Sequence, residues 1–195
     1  MSGLELFGIF FSALLINNIL LIRFLALCSF FGVSTGIENS IGMSSAVIFV
    51  MTISSAISWG LYNFVLVPFQ LEFLRTASFI LVIAALVQLE EIYLKKMIPN
   101  LYRSMGIYLP LITTNCAILA VAFLAIDYRY SFIASMAYSV GVSAGYSLAI
   151  ILFAYIRERM ALAPIPKWFQ GYPIAFVTAA LMSLAFLGFT GMFGL

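Results

Sequence analysis

Residues 131–156 read SFIASMAYSVGVSAGYSLAIILFAYI and contain no charged side chain over 26 positions. A helix that crosses the hydrocarbon core of a bilayer needs about 20 mostly apolar residues, so this stretch is long enough to span a membrane. The whole chain agrees, because 65% of its 195 residues are hydrophobic and only 8% are charged, whereas about a quarter are charged in a soluble domain. The sequence therefore predicts an integral membrane protein that contacts the lipid bilayer, and its net charge of +2 argues against a nucleic-acid partner.

The remaining charges and turn residues delimit five further apolar segments. They cover about residues 4–31, 43–69, 75–93, 101–126 and 172–193. We therefore expect an all-α fold with six transmembrane helices in a single membrane domain, residues 1–195. Arg23 interrupts the first segment and Pro110 lies inside the fourth, so helices 1 and 4 are expected to be broken.

The distribution of lysine and arginine predicts the orientation. One set of loops carries six basic residues, Lys95, Lys96, Arg103, Arg157, Arg159 and Lys167, and the opposite set carries two, Arg75 and Arg129. Because basic loops stay in the cytoplasm, both termini are expected on the outer side of the membrane.

A faint internal repeat relates the two halves of the chain, 1–97 and 98–195. Residues 15–20, LINNIL, resemble residues 111–116, LITTNC, and residues 83–89 resemble residues 178–184. Such matches also arise by chance in apolar sequence, so the sequence leaves the repeat open. If it is genuine, three spans per half make the second half inverted.

Several polar side chains lie deep inside the first and fourth spans. An amide without a partner is costly in hydrocarbon, so these residues are expected to face a partner or a cavity. They are Asn17, Asn18, Thr113, Thr114 and Asn115.

Arg23 allows two interpretations. In the first, the span ends near Arg23, whose side chain extends to the membrane interface, and residues 24–31 form a half-helix. In the second, Arg23 faces an anionic group inside the bundle.

The chain has no histidine and two cysteines, Cys28 and Cys116. The absence of histidine excludes Ser-His triads, histidine metal sites and histidine proton relays. An isolated cysteine in a membrane helix is usually a small packing residue. The alternative is metal ligation, in which two thiolates would supply half of the four ligands of an all-cysteine two-iron cluster and another polypeptide the rest.

Longer motifs resemble a known family over nearly the full chain. They are Asn17-Asn18, the run from Arg23 to Cys28 followed by Phe31-Gly-Val-Ser34, Leu74-Arg75-Thr76, the block from Leu101 to Cys116, Ile156-Arg-Glu-Arg159 and residues 178–184. On these motifs the chain resembles the A subunits of Rnf-type ion-translocating oxidoreductase complexes, which are similar to the E subunits of sodium-translocating NADH:quinone oxidoreductases. The family commonly has glycine and proline around the first cysteine, where this chain has Ala26 and Ser29.

The resemblance implies six helices in two inverted halves in the bacterial or archaeal cytoplasmic membrane. It also implies a 2Fe-2S cluster held by Cys28 and Cys116 together with a homologous membrane subunit of the Rnf E type. Further subunits would carry flavins and iron–sulfur clusters. The complex would pass electrons between ferredoxin and NAD and move sodium ions or protons, with no complete active site in this chain alone.

Two other functions fit the sequence without a redox role. A secondary transporter would use the buried Asn and Thr side chains to line a substrate path. A membrane scaffold subunit would only hold redox subunits together.

Overall fold

The computed structural model of the protein describes residues 3–97, 111, 114–164 and 166–192, and throughout these residues the regular structure is helical. The helices are α1 (Gly3–Phe11), α2 (Leu27–Val33), α3 (Ile37–Leu61), α4 (Arg75–Met97), α5 (Cys116–Asp127), α6 (Phe132–Ala161) and α7 (Tyr172–Met192). π-Helical turns extend α1 over Ser12–Ile16 and α3 over Tyr62–Leu66, and 3-10 turns lie at Glu72–Leu74 and Lys167–Phe169.

Four of the described helices are long and apolar enough to cross a membrane: Ile37–Leu66, Arg75–Tyr93, Phe132–Ala161 and Tyr172–Phe189. Two shorter apolar helices, Glu5–Ile16 and Cys116–Asp127, occupy the places of the first and fourth predicted spans. The prediction of an integral membrane protein is therefore confirmed. The boundaries shift by several residues: α3 begins six residues before the predicted start at 43, and α6 continues five residues beyond 156.

The first predicted span is broken, but the break differs from the one expected at Arg23. The helix ends with the π-helical turn at Ile16, and irregular turns follow until α2 begins at Leu27. Asn17 and Asn18 begin this irregular stretch, and Asn side chains compete with helix hydrogen bonds because they bond to nearby backbone groups. The expected half-helix after Arg23 is present as α2, three residues later than residue 24.

The fourth predicted span is described only in its second half, α5. Residues 101–110 and 112–113, which include Pro110 and Thr113, lie outside the described residues. The predicted break is therefore described on one side only, where Asn115 precedes the first residue of α5.

Helices α3 and α6 form the centre of the bundle and pack on each other more extensively than any other described pair. More than half of each span is buried, 56% and 61%, against 22% for α4 and α7 at the periphery. Small side chains line their contact, and Ser55 Oγ lies 3.2 Å from Ser135 Oγ. Small residues allow membrane helices to approach closely, which gives the dispersion contacts that hold such bundles together.

Candidate functional site

The backbone of the break in the first span is held by Asn18, which is fully buried. Its Nδ2 donates to the carbonyl oxygen of Gly145 in α6 at 2.8 Å. Its Oδ1 accepts from the backbone N–H groups of Leu20 at 3.1 Å and Leu21 at 3.4 Å. One side chain therefore satisfies two N–H groups released by the end of the helix, which lowers the cost of irregular backbone inside a membrane protein.

The end of the break brings the two cysteine-bearing segments together. Ala26 has φ 63 and ψ 30, in the left-handed region, and immediately precedes α2. Its backbone N–H donates to Cys116 Sγ at 2.8 Å. Cys28 lies two residues further along, in the first turn of α2. Both thiols are exposed on the surface of the chain.

Cys116 is the first residue of α5, and Asn115 caps that helix. Asn115 Oδ1 accepts from the backbone N–H of Ala117 at 3.0 Å, which satisfies one of the free donors at the helix start. The positive end of the helix dipole at Cys116 favours a negative charge there. The N–H of Ala26 adds a hydrogen-bond donor at the Cys116 sulfur.

A buried polar network lies directly behind these residues. Ser29 Oγ donates to the carbonyl oxygen of Ala26 at 2.9 Å and lies 2.8 Å from the hydroxyl of Tyr146 in α6. Ser29 and Tyr146 are both fully buried. The Tyr146 hydroxyl therefore reaches the turn between the two thiol-bearing segments through Ser29. The sequence reasoning missed Ser29 and Tyr146 as site residues, since nothing in the spacing of positions 29 and 146 predicts their contact.

Arg23 and Asn17 lie on a cavity of about 500 Å³ between the break and the loop after α5. Arg23 is exposed, and its NH2 group donates to the Tyr128 hydroxyl at 2.9 Å. Tyr130 and Tyr138 also line this cavity, which we call the outer cavity because the predicted orientation places it on the outer side. Arg23 therefore lies beside a hydroxyl in an open cavity that Glu5 also lines, and both interpretations of Arg23 stay predictions.

The other polar residues singled out in the sequence lie near the thiols or outside the described part. Thr114 is exposed and lines a groove of about 320 Å³ beside Cys116, together with Ile80, Ile83 and Leu119. Asn115 is buried at the start of α5. Thr113 lies outside the described residues.

Arg157 contributes to the site from the opposite end of α2. Its NH1 group donates to the carbonyl oxygen of Phe31 at 3.0 Å and to Ser34 Oγ at 2.9 Å. The last turn of the short helix that carries Cys28 is thus capped by a cation, which also suits the negative end of the helix dipole.

The two exposed thiols are fewer than the ligands that a metal cluster needs. Among the residues that the structure describes, no group of three or more His, Cys, Asp or Glu side chains is placed to hold a metal ion. A two-iron cluster ligated by cysteine needs four thiolates. Two exposed thiols on joined segments fit half of such a site, and their exposure leaves room for the other half to come from another chain.

The sequence matches known proteins over almost its whole length. Residues 6–193 match the family model described as Rnf-Nqr subunit, membrane protein. The A subunit of the ion-translocating oxidoreductase complex of Serratia proteamaculans is 52% identical over 184 residues, which are 94% of this chain and 95% of that protein. The corresponding A subunits from Aeromonas salmonicida and Syntrophotalea carbinolica are 53% and 50% identical, over 93% and 94% of this chain and 94% and 95% of theirs. The chain is thus similar to A subunits of ion-translocating oxidoreductase complexes, and it belongs to the Rnf-Nqr family of membrane subunits.

Proposed function

We propose that this chain is the A-type membrane subunit of a redox-driven ion pump and carries half of an intramembrane 2Fe-2S cluster. In this proposal Cys28 and Cys116 ligate iron, and a homologous membrane subunit supplies the other two ligands. The observation that carries the proposal is the 2.8 Å hydrogen bond from the Ala26 N–H to Cys116 Sγ. It joins the two segments that bear the only cysteines of the chain.

The donor chemistry of the site fits this group. Thiolates are the usual ligands of iron–sulfur clusters, and hydrogen bonds to the sulfurs tune the reduction potential. Here a backbone N–H already points at one ligand sulfur, and the start of α5 favours negative charge beside it. A packing cysteine needs neither a backbone donor nor exposure to a partner.

The position of the thiols suits transfer of electrons across the membrane. The hydrocarbon core is about 30 Å thick, so carriers at opposite faces need an intermediate stop. When bound, a 2Fe-2S cluster would supply that stop by accepting and releasing one electron. The chain's own contribution is to hold Cys28 and Cys116 at the starts of two short helices, α2 and α5, within the first and fourth spans.

The polar residues around the break are assigned to the ion path and the surroundings of the cluster. Asn17 and Arg23 line the outer cavity, so they would meet the ion, sodium or proton, on that side. Asn18, Thr114 and Asn115 adjoin the backbone of the two thiol-bearing segments. Thr113 is assigned to the same group from its sequence position. Reduction of a group near Cys116 changes the local field in low dielectric, and this change would bias the path between open and closed states.

The proposal includes the arrangement of the chain in the membrane. The two halves, 1–97 and 98–195, would each supply three spans in opposite orientation, with both termini on the outer side of the bacterial cytoplasmic membrane. In the described part of each half, one short apolar helix precedes two long ones, which supports the repeat. The relatives name a multi-subunit complex, and we assign to it the electron transfer between ferredoxin and NAD.

Replacing either thiol tests the ligand assignment. We expect Cys28→Ser and Cys116→Ser each to abolish the 2Fe-2S signal in electron paramagnetic resonance spectra of the assembled complex, because a hydroxyl is a poor substitute for thiolate on iron. Iron and acid-labile sulfide should fall by one cluster per complex. Ser139→Ala is the matched control, since Ser139 is buried in α6 and bonds to its own helix at Ser135 O.

An unchanged signal with full electron transfer in both cysteine variants would overturn the assignment. A secondary transporter or a scaffold would then remain, and neither would contain iron or acid-labile sulfide associated with this chain.

A further inference from the structure

Ala26 adopts a backbone conformation that its side chain disfavours. Its φ of 63 lies in the left-handed region, where the Cβ of an L-residue crowds the following carbonyl oxygen. Glycine adopts this conformation without that penalty, whereas alanine needs support from its surroundings. Because the Ala26 N–H is the donor to Cys116 Sγ, this strained residue also sets the direction of the bond to the thiol.

The Phe30 N–H donates to the Ala26 carbonyl oxygen at 3.1 Å, and two buried hydroxyls add to this support. Ser29 Oγ donates its single hydrogen to the Ala26 carbonyl oxygen at 2.9 Å. The Tyr146 hydroxyl, 2.8 Å from Ser29 Oγ, must therefore be the donor in that pair. Tyr146 and Ser29 are inaccessible to solvent, and Ala26 is 1% exposed, so water cannot replace either bond.

We propose that Ser29 and Tyr146 are positioning residues that fix Ala26 so that its N–H points at the Cys116 sulfur, and that they thereby raise the reduction potential at this ligand. The inference rests on the proposed function, because it takes Cys116 as an iron ligand. An N–H donor to a ligand sulfur stabilises the more negative, reduced state. If the donor turns away, reduction becomes less favourable and the midpoint potential falls.

The first test is a redox titration of the assembled complex with Ser29→Ala and Tyr146→Phe, followed by electron paramagnetic resonance. Both variants should keep the cluster signal. Ser29→Ala should lower the equilibrium constant for reduction about tenfold, which is 59 mV for a one-electron couple. Tyr146→Phe should shift the potential in the same direction by less, because it keeps the bond from Ser29 to Ala26.

A double-variant cycle tests whether Tyr146 acts through Ser29. Adding Tyr146→Phe to Ser29→Ala should cause no further shift, since the hydroxyl that Tyr146 supports is already absent. Ser147→Ala is the control, because Ser147 is the buried neighbour of Tyr146 and bonds to Ser143 O in its own helix. Its potential should equal that of the unaltered protein.

A second measurement does not depend on the cluster. In the full-length chain purified without iron, hydrogen exchange at the Ala26 amide should be faster in Ser29→Ala than in the unaltered protein, because the N–H leaves the Cys116 sulfur more often. This measurement decides the matter for any variant that loses the cluster.

The outcomes separate this inference from the proposed function. Unchanged midpoint potentials in the Ser29 and Tyr146 variants, together with unchanged hydrogen exchange at Ala26, would overturn the positioning role. The ligand assignment would still be supported in that case if Cys116→Ser abolished the cluster signal. A Cys116→Ser complex that keeps its cluster would overturn the ligand assignment, and exchange at Ala26 would still report on the network.

Discussion

Gly145 lies at a close contact between the broken first span and α6. A Cβ at this position would lie 2.6 Å from the Leu14 carbonyl oxygen and 3.2 Å from Asn18 Nδ2, and the Gly145 carbonyl is the acceptor for Asn18. We expect Gly145→Ala to destabilise the protein by about 1–3 kcal/mol, the usual cost of overpacking, because the backbone of residue 14 cannot move without breaking the contact. Thermal unfolding of the detergent-solubilised protein measures the change.

Gly60→Ala is the matched control for this substitution. Gly60 also lies in a helix, α3, but a Cβ there meets no atom within 4 Å. Its melting temperature should stay that of the unaltered protein or rise slightly, since alanine favours helix. Equal melting temperatures for the Gly145 and Gly60 variants would show that the first span does not pack on α6 as described.

Single residues also show where the sequence stops being informative. Cys28, Cys116 and Asn18 stand out in the sequence because thiols and amides are rare in apolar spans. Ser29 and Tyr146 do not, because serine is common throughout these helices and tyrosine is common at membrane interfaces. Their hydrogen bond joins positions 117 residues apart, and only the packing of α2 on α6 determines it. The left-handed conformation of Ala26 is hidden for the same reason.

At the level of helices, charge and segment length predicted the long spans well, whereas the local sequence did not predict where the first helix ends. The four long spans follow from the scarcity of charges over stretches of about 20 apolar residues. The first helix ends at Ile16 and not at Arg23, where a break was expected. The buried Asn18 side chain stabilises this earlier end, because it accepts hydrogen bonds from the backbone N–H groups of Leu20 and Leu21. An arginine at the surface of a cavity imposes no such end on a helix.

The short helix α2 depends on Arg157 for its last turn. Replacing that arginine with glutamine removes the charged donor to Phe31 O and Ser34 Oγ. A hydrogen bond from a charged group contributes about 1.5–3 kcal/mol. We therefore expect Arg157→Gln to speed amide hydrogen exchange in the last turn of α2 about tenfold or more, as measured by mass spectrometry.

Arg159→Gln provides the comparison for the α2 cap. Arg159 also lies near the end of α6, and its guanidinium donates to the Tyr155 hydroxyl in the same helix. Exchange in α2 should be unaltered in this variant. If both substitutions accelerated hydrogen exchange in α2 equally, the loss of positive charge, and not the loss of the cap, would explain the faster exchange.

The whole molecule leaves both proposed cluster ligands exposed. Both thiols face outward, and α4 and α7 are largely unburied in the isolated chain. Four thiolates are required for the proposed cluster, so the chain purified by itself should contain no 2Fe-2S cluster. Purified together with its homologous membrane subunit, the pair should contain about two irons and two acid-labile sulfides.

Two copies of this chain would also provide four thiolates, so iron analysis alone does not identify the partner. The mass of the detergent-solubilised assembly that contains the iron distinguishes the pairs, because a homodimer forms without the homologous partner, whereas the proposed pair does not. Cluster in the chain expressed alone, with the mass of a dimer, would contradict the proposed heterologous partner and leave Cys28 and Cys116 as ligands. A site divided between two homologous subunits requires two results. The cluster should form only when both subunits are expressed together, and it should be lost when either cysteine is replaced.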